Sequence, residues 1–294
     1  MLALAVALDY ALLKTSTGNL VTGIMVGSAI ILVWGLIDDR YGLRPGLKIL
    51  GQIVAALVLV FLGVQVRITQ TPWLDYALTL LWIVGLVNAF NFVDSMDGLA
   101  LGLAAIGLSF FMLVTSDAGQ PELASLAAAG LGAALGLFFY NAAPASVFLG
   151  DSGAQVLGFA LAGIGIAYVP AGAGLPQGVS WFTPILALGV PIFDSALVVV
   201  SRLRRGRPLY QAQRDHTYHR LVQLGVHPSR SVLAMQVAAV LLGLLAFVAL
   251  GLKVLEANLL FGASVLSGLL GIVILEHSFP LSGSINLPPG DQLS

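Results

Sequence analysis

The sequence contains no cysteine in 294 residues. That excludes disulfides, thiolate metal sites and a cysteine nucleophile, and leaves the redox compartment open. Charge is nearly as scarce: 9% of residues are Asp, Glu, Lys or Arg, against roughly 25% in a typical soluble domain. Mean hydropathy is +0.97, and long apolar runs recur along the whole length. A polytopic α-helical membrane protein fits this better than one or two soluble domains. Period-2 alternation is missing, which argues against a β-barrel, the other structure that satisfies its backbone in lipid. A net charge of −1 gives no pull toward nucleic acid. No internal repeat and no low-complexity tract is present.

Apolar segments fall at about 1–13, 20–37, 48–64, 74–92, 99–115, 123–140, 153–169, 179–201, 231–252 and 258–275. The first is short, since a span needs about 20 residues. Small residues near Gly130–Gly136 and Gly158–Gly165 allow close helix packing. Ten alternating segments sort the loops into two sets. One set, 38–47, 88–98, 141–152, 202–230 and the tail, carries Arg40, Arg44, Lys48, Arg202, Arg204, Arg205, Arg207, Arg214, Arg220 and Arg230. The other carries only Lys14, Arg67 and Lys253. The positive-inside bias makes the first set cytoplasmic.

The same sorting gathers the chemistry. Asp38 and Asp39 end the second segment, and Asn88, Asn91, Asp94 and Asp97 follow the fourth. Asp151 lies in F-L-G-D-S-G at Phe148–Gly153, and Asp215, His216 and His219 lie in the long Arg-rich loop. Carboxylate and amide oxygens in this number suit a hard cation, and Mg²⁺ commonly combines one or two carboxylates with substrate phosphates. The competing readings are a hydrated acidic turn answered by Arg40, and a helix start capped by Asp151 or Ser152. Asp194 lies inside an apolar run, where an acid is a functional candidate; pairing with Arg202 or another helix is the structural alternative. His216 and His219 stand i, i+3 beside arginines whose forked donors suit phosphates. The isolated acids Asp75, Asp117, Glu122 and Glu256 need no function.

At these residues the chain resembles the polyprenyl-phosphate N-acetylhexosamine-1-phosphate transferases. The matching stretches are D-D-R-Y-G-L-R-P-G-L-K at Asp38–Lys48, N-A-F-N-F-V-D-S-M-D-G-L at Asn88–Leu99, F-L-G-D-S-G, P-I-F-D at Pro191–Asp194, and D-H-T-Y-H-R-L at Asp215–Leu221. The resemblance implies transfer of a sugar 1-phosphate, here N-acetylglucosamine 1-phosphate, from a UDP-sugar to undecaprenyl phosphate or a similar lipid. UMP is released, with Mg²⁺ (or Mn²⁺) as cofactor, on the cytoplasmic face of a bacterial-type cell membrane. It also implies metal ligands at Asn91 and Asp151, a uracil contact at Asp97 and an aromatic stacked on that base at Phe148. Asp38 and Asp39 match paired acids near the acceptor phosphate, with Asp38 as base, and Asp94 joins them as a catalytic candidate. Lys48, Asn88, Asp194, Arg202, His216, His219 and Arg220 are carried as substrate-binding, and Gln52 matches one turn after Lys48. A muramyl-pentapeptide phosphotransferase is the alternative within the class, and a cation-coupled transporter the alternative outside it.

Two departures bear on these expectations. Tyr218 stands where the N-acetylglucosamine branch usually has histidine. The family also opens with a full span and a basic loop, whereas residues 1–13, with Asp9 among them, give about 20 Å of helix. The expectation is that the 294-residue form is unstable or nearly inactive, and that an upstream extension restores it. The fold expected is therefore an all-α transmembrane bundle of about ten segments. Residues 1–276 form one transferase domain and 277–294 a flexible cytoplasmic tail, with a homodimer as the assembly considered.

Overall fold

The computed structural model describes residues 18–69, 71–170, 181–208 and 215–278. Residues 1–13 and Arg214 lie outside them, as does the tail from residue 279. Among the described residues every regular element is helical: α1 (Gly18–Tyr41), α2 (Pro45–Phe61), α3 (Pro72–Val93), α4 (Leu99–Asp117), α5 (Pro121–Asn141), α6 (Gly150–Ala167), α7 (Thr183–Ala187), α8 (Gly189–Arg204), α9 (Thr217–Gln223), α10 (Pro228–Leu250) and α11 (Val254–His277). Proline opens α2, α3, α5 and α10. Its missing N–H costs nothing in a first turn and its fixed φ is already helical. Gly42 (φ 63°) stops α1, with its N–H on the Asp38 carbonyl at 2.8 Å. The chain leaves that helix through a left-handed residue that glycine adopts without strain.

The all-α expectation holds among the described residues; the count of about ten spans is not confirmed. Among the described residues six helices are long and apolar enough to cross a membrane: Leu20–Tyr41, Pro72–Val93, Leu99–Asp117, Pro121–Asn141, Pro228–Leu250 and Val254–His277. The segment at 48–64 becomes the 17-residue α2. The one at 153–169 becomes α6, whose 18 residues open on the polar Gly150–Asp151–Ser152 turn. The stretch at 179–201 is broken at Leu188 into α7 and α8. Pro191 has no N–H to give the Ala187 carbonyl four residues earlier, so a continuous helix loses that bond. The loop limits also move. Asp38 and Asp39 lie in the last turn of α1, Asn88 and Asn91 lie inside α3, and 202–230 contains α9.

The bundle is centred on α4, where 72% of the span is buried, against 6% for α11 at the periphery. Phe90, Phe111, Phe159 and Phe182 are fully buried around it. Two glycines set the approach that positions the site. A Cβ on Gly158 would lie 2.7 Å from the Leu86 carbonyl oxygen and 2.9 Å from Val87 Cα, so α6 rests on the backbone of α3. A Cβ on Gly35 would lie 2.5 Å from Ser152 Cα, so the end of α1 meets the start of α6. Small residues at such crossings give the dispersion contact that holds helices together in lipid. Because backbone cannot step aside, Gly158→Ala should lower stability by about 1–3 kcal/mol. Thermal unfolding in detergent measures this; Gly132→Ala, with open space around it, should leave the midpoint unchanged.

Candidate active site

The cluster begins where α1, α2 and α6 meet. Asp38 Oδ1 accepts the Leu43 N–H at 2.8 Å, and Oδ2 lies 2.6 Å from Lys48 Nζ. The same ammonium lies 2.7 Å from Asp151 Oδ2. Asp38 is 2% exposed, Lys48 29% and Asp151 37%, so one cation joins a buried carboxylate to one facing solvent. Asp39 takes a different place. Its Oδ1 accepts the Asp151 N–H at 2.9 Å and its Oδ2 the Ser152 N–H at 3.2 Å. The first turn of α6 is therefore capped by a carboxylate from another helix. The reading of Asp151 or Ser152 as the cap of their own helix is corrected, since no side chain at Leu149, the residue before α6, caps it. Gly150 (φ 71°) turns the chain so that these N–H groups face α1. The orphan donors and the positive end of the helix dipole both favour an anion there.

One turn inward lies a buried amide ladder. Gln52 donates to Gln155 Oε1 at 3.2 Å, and Asn88 donates to Gln52 Oε1 and the Val84 carbonyl, both at 2.7 Å. Gln52 follows Lys48 by four residues and Gln155 follows Asp151 by four, so the ladder fixes the rotation of both helices beneath the ion pairs. Gln155 was not among the expected residues. Its signal was a polar side chain one turn inside an apolar run.

The turn after α3 and the loop before α6 are tied together. Asp97 Oδ2 accepts the Ala145 N–H at 3.0 Å, and Asn141 accepts from Gly98 N at 3.0 Å while donating to the Val147 carbonyl at 2.9 Å. These bonds present the Phe148 ring, 77% exposed, at the loop's edge. Asn91 lies in the last turn of α3 and Asp94 ends it. The Asp94 carboxyl is pushed up to about 7, first by burial and then by the negative charges of Asp151 and Asp39. Those three acids therefore share one electrostatic neighbourhood.

The third part comes from α8 and α9. Asp194, buried, has Oδ2 2.8 Å from His216 Nδ1 and accepts the Thr217 N–H on Oδ1 at 2.7 Å. Of the two structural alternatives, pairing with Arg202 or with another helix, the contact is to another helix, α9. Arg202 Nε lies 3.5 Å from Asp215 Oδ2, and its guanidinium is 5.9 Å from the Phe92 ring centroid. Phe92 in turn stands 5.8 Å from the His216 ring, and His216 and His219 are 5.8 Å apart. Burial, and after it the charge of Asp97, raises the pKa of the Tyr218 hydroxyl. Arg220 departs from the substrate contact expected of it. Buried, it donates to Ser201 Oγ at 2.8 Å, to the Leu275 carbonyl at 2.9 Å and to the Asp215 carbonyl at 3.1 Å, and pairs with Glu276. Glu276, Ser201 and Phe92 were all missed from sequence. Only Glu276 carried a signal, a lone acid closing the last apolar run.

A hard divalent cation fits the donor set. Among the described residues no three His, Asp or Glu side chains converge as a complete metal cage. Mg²⁺ does not need one, because it keeps waters and substrate phosphates around one or two protein oxygens. Asp151 keeps its carboxylate partly open to solvent, where it could meet such an ion.

Fold and cluster together define a polytopic helical membrane protein with an acid- and lysine-lined site at one end of its bundle. Comparison places it further: residues 21–169 match the glycosyl transferase family 4, and the chain belongs to that family. It is 36% identical over 231 residues to the Bacillus subtilis (strain 168) protein named "Probable undecaprenyl-phosphate N-acetylglucosaminyl 1-phosphate transferase", covering 74% of this chain and 63% of that protein. It is 36% identical over 250 residues to the decaprenyl-phosphate N-acetylglucosaminephosphotransferase of Mycobacterium tuberculosis (strain ATCC 25618 / H37Rv), covering 74% and 60%. A phospho-N-acetylmuramoyl-pentapeptide-transferase of Limosilactobacillus reuteri (strain DSM 20016) is 34% identical over 158 residues, 47% of this chain and 49% of that protein. The chain thus spans less than two thirds of the length of these curated relatives.

The state of Asp94 gives a pH test. Its folded value of about 7 lies above its ordinary 3.8, so between those values the folded protein holds a proton that the unfolded chain has released. The contribution of Asp94 to stability should therefore fall as pH rises from about 4 to about 7 and level off above. Asp94→Asn, which cannot ionise, should be more stable than the parent at pH 8, with the difference shrinking toward pH 4. Denaturation of the ligand-free protein across this range checks it, and a difference independent of pH would contradict it.

Proposed function

We propose that this chain transfers N-acetylglucosamine 1-phosphate from a UDP-sugar to a polyprenyl phosphate of undecaprenyl type and releases UMP. The observation that carries the reading is the joined cluster of Asp38, Asp39, Lys48, Asp94 and Asp151 beside the exposed Phe148. It combines cationic, acidic and aromatic groups at the end of a membrane bundle, in a member of this family. The three named relatives all act, by their names, on phosphorylated acceptors or precursors. The two that cover most of this chain carry N-acetylglucosamine in their names. A donor comes from water and an acceptor from the bilayer, so a site at a helix end meets both.

In the reaction an oxygen of the lipid phosphate attacks the β-phosphorus of the donor. The bond from that phosphorus to the bridging oxygen breaks, and the electron pair leaves on UMP. The acceptor is already ionised, so the chain's main task is to orient two anions and to offset their charge. Lys48 offers an ammonium to the incoming phosphate, and Asp38 holds that ammonium in place. Asp39 fixes Asp151 by capping α6, and Phe148 offers a face for the uracil ring while Asp97 braces its loop. His216, held by Asp194 and Phe92, and His219 beside it would offer ring nitrogens to the phosphates from the α9 side. Asn91 and Asp151 would hold Mg²⁺ or Mn²⁺, which when bound supplies charge neutralisation on the diphosphate. The site faces the cytoplasm in this reading, since ten of the thirteen basic residues fall on its side.

Membranes expressing the chain, given UDP-sugars, Mg²⁺ and undecaprenyl phosphate, should release UMP and label the lipid. Asp151→Asn and Asn91→Ala should each lower turnover by about 10²–10³-fold, the scale of losing one preorganised electrostatic group. Asp117→Asn, at the opposite end of α4, should leave turnover unchanged. Full activity in Asp151→Asn at ordinary Mg²⁺ would contradict the ligand assignment. Orientation is tested separately in this cysteine-free chain. An impermeant thiol reagent applied from outside should label Trp73→Cys and spare Tyr41→Cys and Leu224→Cys, all three exposed positions.

A further inference from the structure

The last helix, α11, sits at the rim of the bundle, and only Ala257, Ile272 and Glu276 are buried along it. An acid in so lipid-exposed a helix is costly unless a cation receives it. Glu276 is 3% exposed, and three arginines converge on it. Arg220 pairs with Oε1, Arg204 Nη1 lies 3.3 Å from Oε2, and Arg205 Nη2 lies 4.0 Å from Oε1. Arg220 also takes the Leu275 carbonyl beside it, so one guanidinium holds both a side chain and the backbone of α11.

These arginines bracket the segment that carries the histidines. Arg204 and Arg205 close α8, and Arg220 follows His219 directly in α9. Arg205 reaches Asp215 Oδ1 at 3.4 Å and Arg220 Nε reaches the Asp215 carbonyl at 3.1 Å. Asp215 precedes His216, whose ring meets Asp194 and Phe92. A path of direct contacts thus runs from Glu276 through Arg220 and Arg205 to the residue before His216.

We infer that Glu276 is a positioning residue: from the final helix it ties the start of α9 to the end of α8 and so sets where His216 and His219 stand. Its carboxylate touches neither histidine and acts only through Arg220 and Arg205. The helix that looks like a peripheral anchor therefore completes the site. This deepens the proposed transferase reading and rests on it for the kinetic part of the test alone.

Two measurements keep the two claims apart. Hydrogen exchange of the full chain in lipid nanodiscs needs no activity. Glu276→Gln keeps the shape and removes the charge, and it should speed exchange across 215–223 while leaving α4 protected. Kinetics form the second arm: the same variant should raise the KM for the UDP-sugar about tenfold, with kcat changing less, because a mispositioned loop weakens binding before it alters the reacting atoms. Glu276→Asp, which keeps the charge, should recover most of the lost affinity. A merely structural role would lower the yield of both variants and leave the KM of the surviving protein unchanged. Should Glu276→Gln fail to accumulate, Arg220→Lys reports on the same contact from the other side, with the same expected exchange and KM. Unchanged exchange in 215–223 overturns the inference whether or not the chain transfers sugar phosphate. Faster exchange with no transfer even in the parent upholds the positioning claim and removes the transferase reading instead.

Discussion

A single ammonium, that of Lys48, stands between a buried carboxylate and an exposed one, and the rest of the site depends on that placement. Asp38 is sealed from solvent, and breaking such a pair by removing one partner costs several kcal/mol, about 3–5 when both groups are buried. Lys48 and Asp151 remain partly open to water, so their half of the bridge is screened and contributes less. The asymmetry has a functional sense. Asp38 anchors the lysine, while in the proposed function Asp151 is the partner that can give it up to a phosphate. The amide ladder of Asn88, Gln52 and Gln155 lies one turn deeper and keeps α2, α3 and α6 from rotating.

This arrangement requires helix ends to come closer than side chains normally allow. Gly35 admits the backbone of Ser152, and Gly158 admits that of α3. With α1 and α6 in contact, a carboxylate of α1 can serve the unsatisfied N–H groups of α6. Asp39 then does what a local cap would do, but from 112 residues away in the chain. The contact turns two helix termini into one rigid corner. Asp97 and Asn141 fasten loop 142–149 to the turn after α3, and Asp194 and Glu276 fasten α9 to α8 and α11.

Much of this was legible in the sequence, and the part that was not has a physical cause. Hydropathy located every described span, because burial in lipid demands long apolar runs. It did not show the break at Leu188, since Pro191 alters hydrogen bonding without altering hydropathy. Most acids and the histidines of the site were visible as polar residues at the ends of apolar segments, whereas Gln155 and Glu276 were not singled out. Their partners were less so. Asp39 and Asp38 are chemically identical neighbours, yet one pairs with a lysine and the other caps a helix, a difference set wholly by packing between distant segments. Arg220 looked like a phosphate ligand because it follows His219. Only the position of α11 shows its guanidinium turned to Glu276.

The central claim is that α1 and α6 meet at one corner, and disulfide trapping tests it most directly because the chain has no cysteine of its own. A Cβ on Gly35 would lie 2.9 Å from Ser152 Cβ, closer than the ~3.5–4.5 Å of a disulfide, so a small separation suffices to form one. The measurement is the extent of intramolecular cross-linking in a Gly35→Cys/Ser152→Cys variant under mild oxidation in native membranes. The account predicts near-complete cross-linking there and none in a control pair, Gly132→Cys/Ser152→Cys. Failure of the Gly35 pair to cross-link in a protein that otherwise accumulates normally would contradict it, for without that contact Asp39 cannot cap α6 and Lys48 cannot reach both acids.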